Sequence, residues 1–137
     1  MVIRGTYCLC ISVRRKLEVE VGALGSLTFD QGLYVYVGSA LNGLEARVRR
    51  HIRTSGGEFN AIHWHIDYLL KEPDVEVERV FVLPSDLREE CRVAGEVGEQ
   101  GIPIKGFGCS DCRCESHLFR VDSCDMLSRL GLKGMSL

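Results

Sequence analysis

From residue 6 to residue 13 the chain is almost unbroken apolar, Tyr7-Cys8-Leu9-Cys10-Ile11 followed by Val13. Its β-branched and aromatic content predicts a buried strand. After the polar turn Arg14-Arg15-Lys16, Leu17, Val19 and Val21 alternate with Glu18 and Glu20, the two-residue period of a half-exposed strand. Glycines, Ser26 and Asp30 make 22–32 a loop, with a short strand over 27–29. Residues 33–37 form a third strand, which Gly38 is expected to end. Leu44, Val48 and Ile52 recur every four residues and predict a helix closed by Ser55-Gly56-Gly57. A second helix is expected over 62–71, stopped by Pro73. Val77 and the run 80–83 read as a strand ended by Pro84. Ser85 or Asp86 is then the N-cap of a third helix, with Glu89 or Glu90 as its capping-box acid. Residues 98–115, rich in glycine, proline and cysteine, read as irregular, and 118–121 as a last short strand. The tail, 122–137, is expected to be a weak helix with a frayed end. This pattern gives an α+β fold with a single domain over 1–121.

Composition narrows the class. A chain of 137 residues has room for one core. Its hydrophobic content of 45% and net charge of −2 exclude disorder. No apolar run approaches the roughly 18 residues of a membrane helix, and the N-terminus lacks the pattern of a signal peptide. A cytoplasmic protein without membrane association is expected. Seven cysteines, an odd number, argue against a secreted disulfide framework.

Near-neutral net charge predicts no general affinity for nucleic acid, but the charge is unevenly distributed. Residues 41–53 hold Arg47, Arg49, Arg50, Arg53 and His51 against Glu45, whereas 74–99 is dominated by acids. A basic face on a neutral protein can serve as a local phosphate site. Around it lie Gly5-Thr6-Tyr7 at the start of the first strand and Tyr36-Val37-Gly38-Ser39 at the end of the third. Arg47 and His51 stand one helical turn apart on the helix that follows. Taken singly, the tyrosines read as core-edge residues and the arginines as a solvated face. As a spaced set they read as a phosphate-handling site.

This arrangement resembles the GIY-YIG nuclease superfamily, whose pattern is Gly-x-Tyr, Tyr-x-Gly, a helix carrying arginine and a later helix carrying glutamate. The run 32–40, the pair Arg50-His51, the segment His63-Trp64-His65-Ile66-Asp67-Tyr68 and the segment 106–118 are similar to its Uri-type branch. The resemblance extends from Gly5 to about Val121. The connection between Tyr7 and Tyr36 is longer than is typical, and one extra residue lies near Gly43. It implies a small α+β domain with a central, mostly antiparallel sheet flanked by helices. It also implies a Mg²⁺- or Mn²⁺-dependent endonuclease acting on DNA, with DNA repair as the pathway and a repair protein as a partner. Tyr36 would act as general base with Tyr7 beside it orienting the water or sharing that role, Arg47 would stabilise phosphoryl charge, and His51 would position phosphate or assist proton transfer. The metal ligand lies among Glu89, Glu90 and Glu96; Glu90 fits best, being followed three residues later by an apolar one. Nucleic-acid contacts are expected from Gly38, Ser39, Arg49, Arg50, Arg53 and His63.

A further cluster, Cys109, Cys112, Cys114 and His117, places three thiols and an imidazole within nine residues, a donor set suited to tetrahedral Zn²⁺. The pairs are not well separated, so a ligand from elsewhere, such as Cys91, or a plain buried loop are alternatives. Two rival functions follow: a nucleic-acid-binding module with no activity alone, and a zinc- or thiol-based interaction or redox protein.

Overall fold

The computed structural model describes residues 3–40, 42–57, 62, 64–108 and 114–136. Its elements in chain order are β1 (Gly5–Val13), β2 (Leu17–Glu20), β3 (Ser26–Phe29), β4 (Gly32–Ala40), α1 (Leu44–Ser55), α2 (His65–Leu70) and β5 (Val75–Pro84). They are followed by α3 (Glu90–Gly98), β6 (Ile102–Pro103), β7 (Leu118–Val121), α4 (Met126–Arg129) and β8 (Lys133–Met135). Six strands form one sheet in the order β6-β7-β4-β1-β5-β8, every described pairing antiparallel. The expected α+β fold with a central antiparallel sheet and flanking helices is what the chain adopts. The longer connection between Tyr7 and Tyr36 holds the separate β2–β3 hairpin.

The sheet is covered on both faces, which explains why β1 reads as unbroken apolar sequence. Tyr7, Leu9, Ile11 and Val13 point into one core with Val48 of α1 and Ile66, Leu69 and Leu70 of α2. Cys8 and Cys10 point into the other, with Val93, Ala94 and Val97 of α3 and Leu127 of α4. The same alternation divides Tyr34 and Tyr36 of β4 from Val35 and Val37.

Four expectations need correction, and one crosslink lies beyond them. Gly38 does not end its strand: β4 runs on to Ala40 because β1 continues opposite it, pairing Tyr7 with Gly38 and Gly5 with Ala40. The second helix starts only at His65, because Trp64 is extended (φ −129°, ψ 161°). The third begins at Glu90 rather than after Ser85 or Asp86. Ser85 instead donates its N–H to the Arg4 carbonyl, and its Oγ accepts from Leu87 N–H in a local turn. The short helix expected after Asp122 is present as α4, but the end beyond it is not frayed: β8 pairs with β5, and Leu132 is buried with Met126 and Leu127. Finally, Cys10 and Cys124 form a disulfide between β1 and the segment leading into α4. Among the described residues no helix is long and apolar enough to cross a membrane.

Candidate active site

One cavity of about 390 Å³ collects most of the chemistry-bearing side chains. It is lined by Tyr7 from β1, Tyr36, Gly38 and Ser39 from β4, Arg47 from α1, Trp64, Arg88, Glu90 and Cys91 at the start of α3, Gly108 and His117. Sheet register explains the first part of this convergence. Tyr7 lies directly across from Gly38, and a Cβ at Gly38 would overlap the Tyr7 hydroxyl. The glycine therefore gives the phenol its space at the strand pair.

Arg47 leaves the first half of α1 and donates from Nη1 to the Ser39 carbonyl at 3.2 Å. Its guanidinium lies 4.4 Å from the centre of the Trp64 ring, while that of Arg50 lies 4.5 Å from the same ring. Trp64 thus separates two cations by stacking with both, a favourable arrangement for partly desolvated guanidinium groups. Arg50 reaches on to Asp67 at 3.4 Å. The fully buried Asp67 also accepts the Trp64 N–H at 3.1 Å. The indole is therefore fixed by both its backbone and its ring.

Behind Tyr7 lies His51, fully buried, with its Nε2 2.6 Å from the Tyr7 hydroxyl. Its Nδ1 has no hydrogen-bond partner among the described residues. Burial pushes the His51 pKa down to about 4, Asp67 acting against that shift and Arg47 and Arg50 adding to it. The imidazole is therefore neutral at pH 7. Burial also holds both phenols above the ordinary tyrosine range, with Arg47 pulling each back. The rings of Tyr7 and Tyr36 stand 6.4 Å apart, and Tyr36 also packs edge-on against His51 and Phe107.

Of the three glutamates considered, Glu90 lines the cavity. Glu89 and Glu96 instead pair with Arg92 along α3, each at 3.0 Å. Not every candidate reaches the site. His51 stands behind the cavity wall, because the buried face of α1 runs through Leu44, Val48 and His51, with Ile52 only partly buried. Arg49 bonds Glu45 on the exposed side of α1, and the exposed Arg53 is likewise not among the lining residues. His63, Cys109 and Cys112 lie outside the described residues. His65 accepts the Gly108 N–H on Nδ1 at 2.8 Å and so holds the 106–108 loop against the cavity. Three lining residues, Trp64, Arg88 and Gly108, are not marked as site residues by the sequence pattern. Trp64 reads as a packing partner from its spacing to Tyr68, and Arg88 sits in an acid-rich stretch where charge patterning hides it.

The cysteine cluster assembles differently from the sequence pattern. Cys91 on α3 joins Cys114 and His117, their ligand atoms all within 4.8 Å of one another. His117 is buried, and its Nδ1 lies 3.0 Å from the Val37 carbonyl.

No curated protein and no solved structure matches this chain. The sequence profile described as Domain of unknown function DUF123 matches residues 6–134, which takes in Tyr7, Tyr36, α1 and the Glu90 helix and reaches into β8. On a match of that extent, the chain belongs to the DUF123 domain family.

Proposed function

We propose that this protein is a metal-dependent endonuclease of the GIY-YIG type, cytoplasmic, hydrolysing phosphodiester bonds in DNA. One observation carries the reading: Tyr7, Tyr36, Arg47 and Glu90, from four different elements, line a single cavity. Phosphodiester hydrolysis needs a proton acceptor for water, positive charge at the phosphoryl oxygens, and donors oriented in advance.

Arg47 supplies the charge, its forked guanidinium suited to two phosphoryl oxygens. Its bond to the Ser39 carbonyl and its stacking on Trp64 fix the fork before substrate arrives. Arg88 adds a second cation to the lining. For the proton, the geometry favours Tyr7 over Tyr36, the reverse of the roles that the resemblance implies. Among the described residues, Tyr7 alone of the two has a basic nitrogen at hydrogen-bond distance, His51 Nε2. Its phenol oxygen takes the proton of the attacking water as its own proton passes to His51. A bound phosphodiester brings negative charge that raises the proton affinity of His51, so the relay is favoured when substrate is present. Tyr36 orients the water from the neighbouring wall.

A hard divalent cation binds through one or two carboxylates, with waters and substrate phosphate completing its shell. Glu90, a carboxylate on the wall of a cavity roomy enough for waters, fits that requirement. When bound there, Mg²⁺ or Mn²⁺ supplies Lewis-acid stabilisation of the phosphoryl charge.

Nicking of supercoiled plasmid, with Mg²⁺ or Mn²⁺ and with EDTA, tests the reading. Arg47→Ala should reduce metal-dependent nicking by about 10²–10³-fold while the circular dichroism spectrum is kept. Nicking at the wild-type rate in the variant would overturn the assignment of Arg47. Salt-dependent DNA binding with no cleavage in either metal would reduce the protein to a binding module.

A further inference from the structure

The region where α3 meets the approach to β7 carries a second donor set, in the wall of the cavity. Cys91 is exposed on the first turn of α3, Cys114 is half-buried, and His117 is buried just before β7. Their ligand atoms lie within 4.8 Å of one another, although Cys91 and His117 are far apart in sequence. Neither cysteine is in a disulfide. We propose that Cys91, Cys114 and His117 form a binding site for a soft divalent cation of the Zn²⁺ class, which clamps α3 to the segment leading into β7.

Distance, donor type and the imidazole's bond to a backbone carbonyl all support this site. Zinc–sulfur and zinc–nitrogen bonds of about 2.3 and 2.0 Å put neighbouring tetrahedral ligands about 3.5–3.8 Å apart. Ligand atoms within 4.8 Å need to close by only about an ångström, and Cys91, exposed at a helix start, has the rotamer freedom to do so. Two thiolates and an imidazole select zinc over magnesium, since soft sulfur is a poor ligand for a hard cation. Histidines that bind zinc usually donate their other ring N–H to a carbonyl or carboxylate. His117 already has its Nδ1 at the Val37 carbonyl, the kind of supporting bond that such a histidine makes.

Access is also provided. Cys91 and Cys114 together line a surface groove of about 290 Å³ that also includes Gly95, Pro103 and Phe119. Cys91 and His117 line the main cavity as well, so the cluster lies in the wall between the two. A cation there would hold the first turn of α3, including the neighbouring Glu90, against the sheet.

Cobalt is the probe, because a thiolate-bound Co²⁺ gives a near-ultraviolet charge-transfer band that nitrogen and oxygen ligands do not. The reduced full chain, titrated anaerobically with Co²⁺, should saturate this band at one equivalent, with Zn²⁺ displacing the cobalt and Mg²⁺ failing to do so. Loss of a second-shell partner already weakens metal binding about 10–100-fold, so Cys91→Ser should weaken it by at least about 100-fold. Cys91 is exposed, so the variant should fold; Cys114→Ser provides the same test at a second ligand. No thiolate band, or a band of unchanged strength in both variants, would overturn the site. Plasmid nicking is not the readout, so this test can fail or succeed whatever becomes of the nuclease reading.

Discussion

His51 is buried against Tyr7, with Arg47, Arg50, Asp67 and Trp64 around it. Protonating it would bury a charge away from water, and beside it Arg47 and Arg50 oppose the attraction of Asp67, so the folded state prefers the neutral ring. With its pKa near 4 in the fold and about 6.5 in the unfolded chain, the neutral form contributes stability fully above pH 6.5. That contribution is lost as the pH falls from 6.5 through 4, and is worth up to about 3 kcal/mol. Urea unfolding at pH 7.5, 5.5 and 4.0 should show the wild type losing stability over this range faster than His51→Gln, whose side chain does not titrate. Parallel losses in the two proteins would show that His51 is not the group responsible. The tyrosines were legible at this scale because Gly-x-Tyr and Tyr-x-Gly lie on strands whose register brings Tyr7 against Gly38. The burial of His51 was not legible. The spacing of Leu44, Val48 and Ile52 defines one apolar stripe, and rotating it slightly toward residue 51 leaves the pattern equally good.

At the scale of elements, the short helix α2 matters more to the site than its length suggests. Its first turn is defined by Asp67, which accepts the Trp64 N–H and faces the Arg50 guanidinium. That carboxylate connects α2 to α1 and holds the indole on which Arg47 and Arg50 stack. Removing one partner of a buried ion pair typically costs 3–5 kcal/mol; Arg50 keeps some water contact, so the lower end applies. Asp67→Ala should therefore destabilise the fold by about 3 kcal/mol in urea unfolding. The chain has one tryptophan, so the emission of Trp64 reports locally on the same event and should shift to the red in the folded variant. A loss under about 1 kcal/mol with unchanged emission would show that Asp67 does not hold the indole. The strands were easier to place than the helix starts, because β1 and β4 announce themselves by long apolar runs. The start of α2 is set by a local capping bond, and the residue expected to cap α3 is taken up by a distant part of the chain. Asp67 reaching back to Trp64, and Ser85 bonding the Arg4 carbonyl, decide where the chain begins to coil.

For the whole molecule, the two ends of the chain are joined. Cys10 lies in the central strand β1 and Cys124 precedes α4, with a sequence separation of 114. The short β8 then completes the sheet edge next to β5. Neither feature was legible in the sequence. An odd number of cysteines carries no connectivity, and a three-residue strand containing Gly134 has too little pattern to stand out from a frayed end. A crosslink over so long a loop acts mainly on the unfolded chain, whose freedom it restricts. The chain-entropy account gives about 4–5 kcal/mol for a loop of roughly this length, and measured disulfides usually give about 2–4. Reduction should therefore lower the unfolding free energy by about 2–4 kcal/mol. It should also steepen the urea dependence, because the reduced unfolded chain exposes more surface. The measurement is a pair of urea curves with and without reductant, both in chelator so that metal at Cys91 and Cys114 does not contribute. Cys124→Ala provides the control: its midpoint should lie near that of the reduced wild type and should not respond to reductant. A wild-type midpoint indifferent to reductant would mean that packing of Met126, Leu127 and Leu132, all buried against the sheet, holds the C-terminal segment without the crosslink.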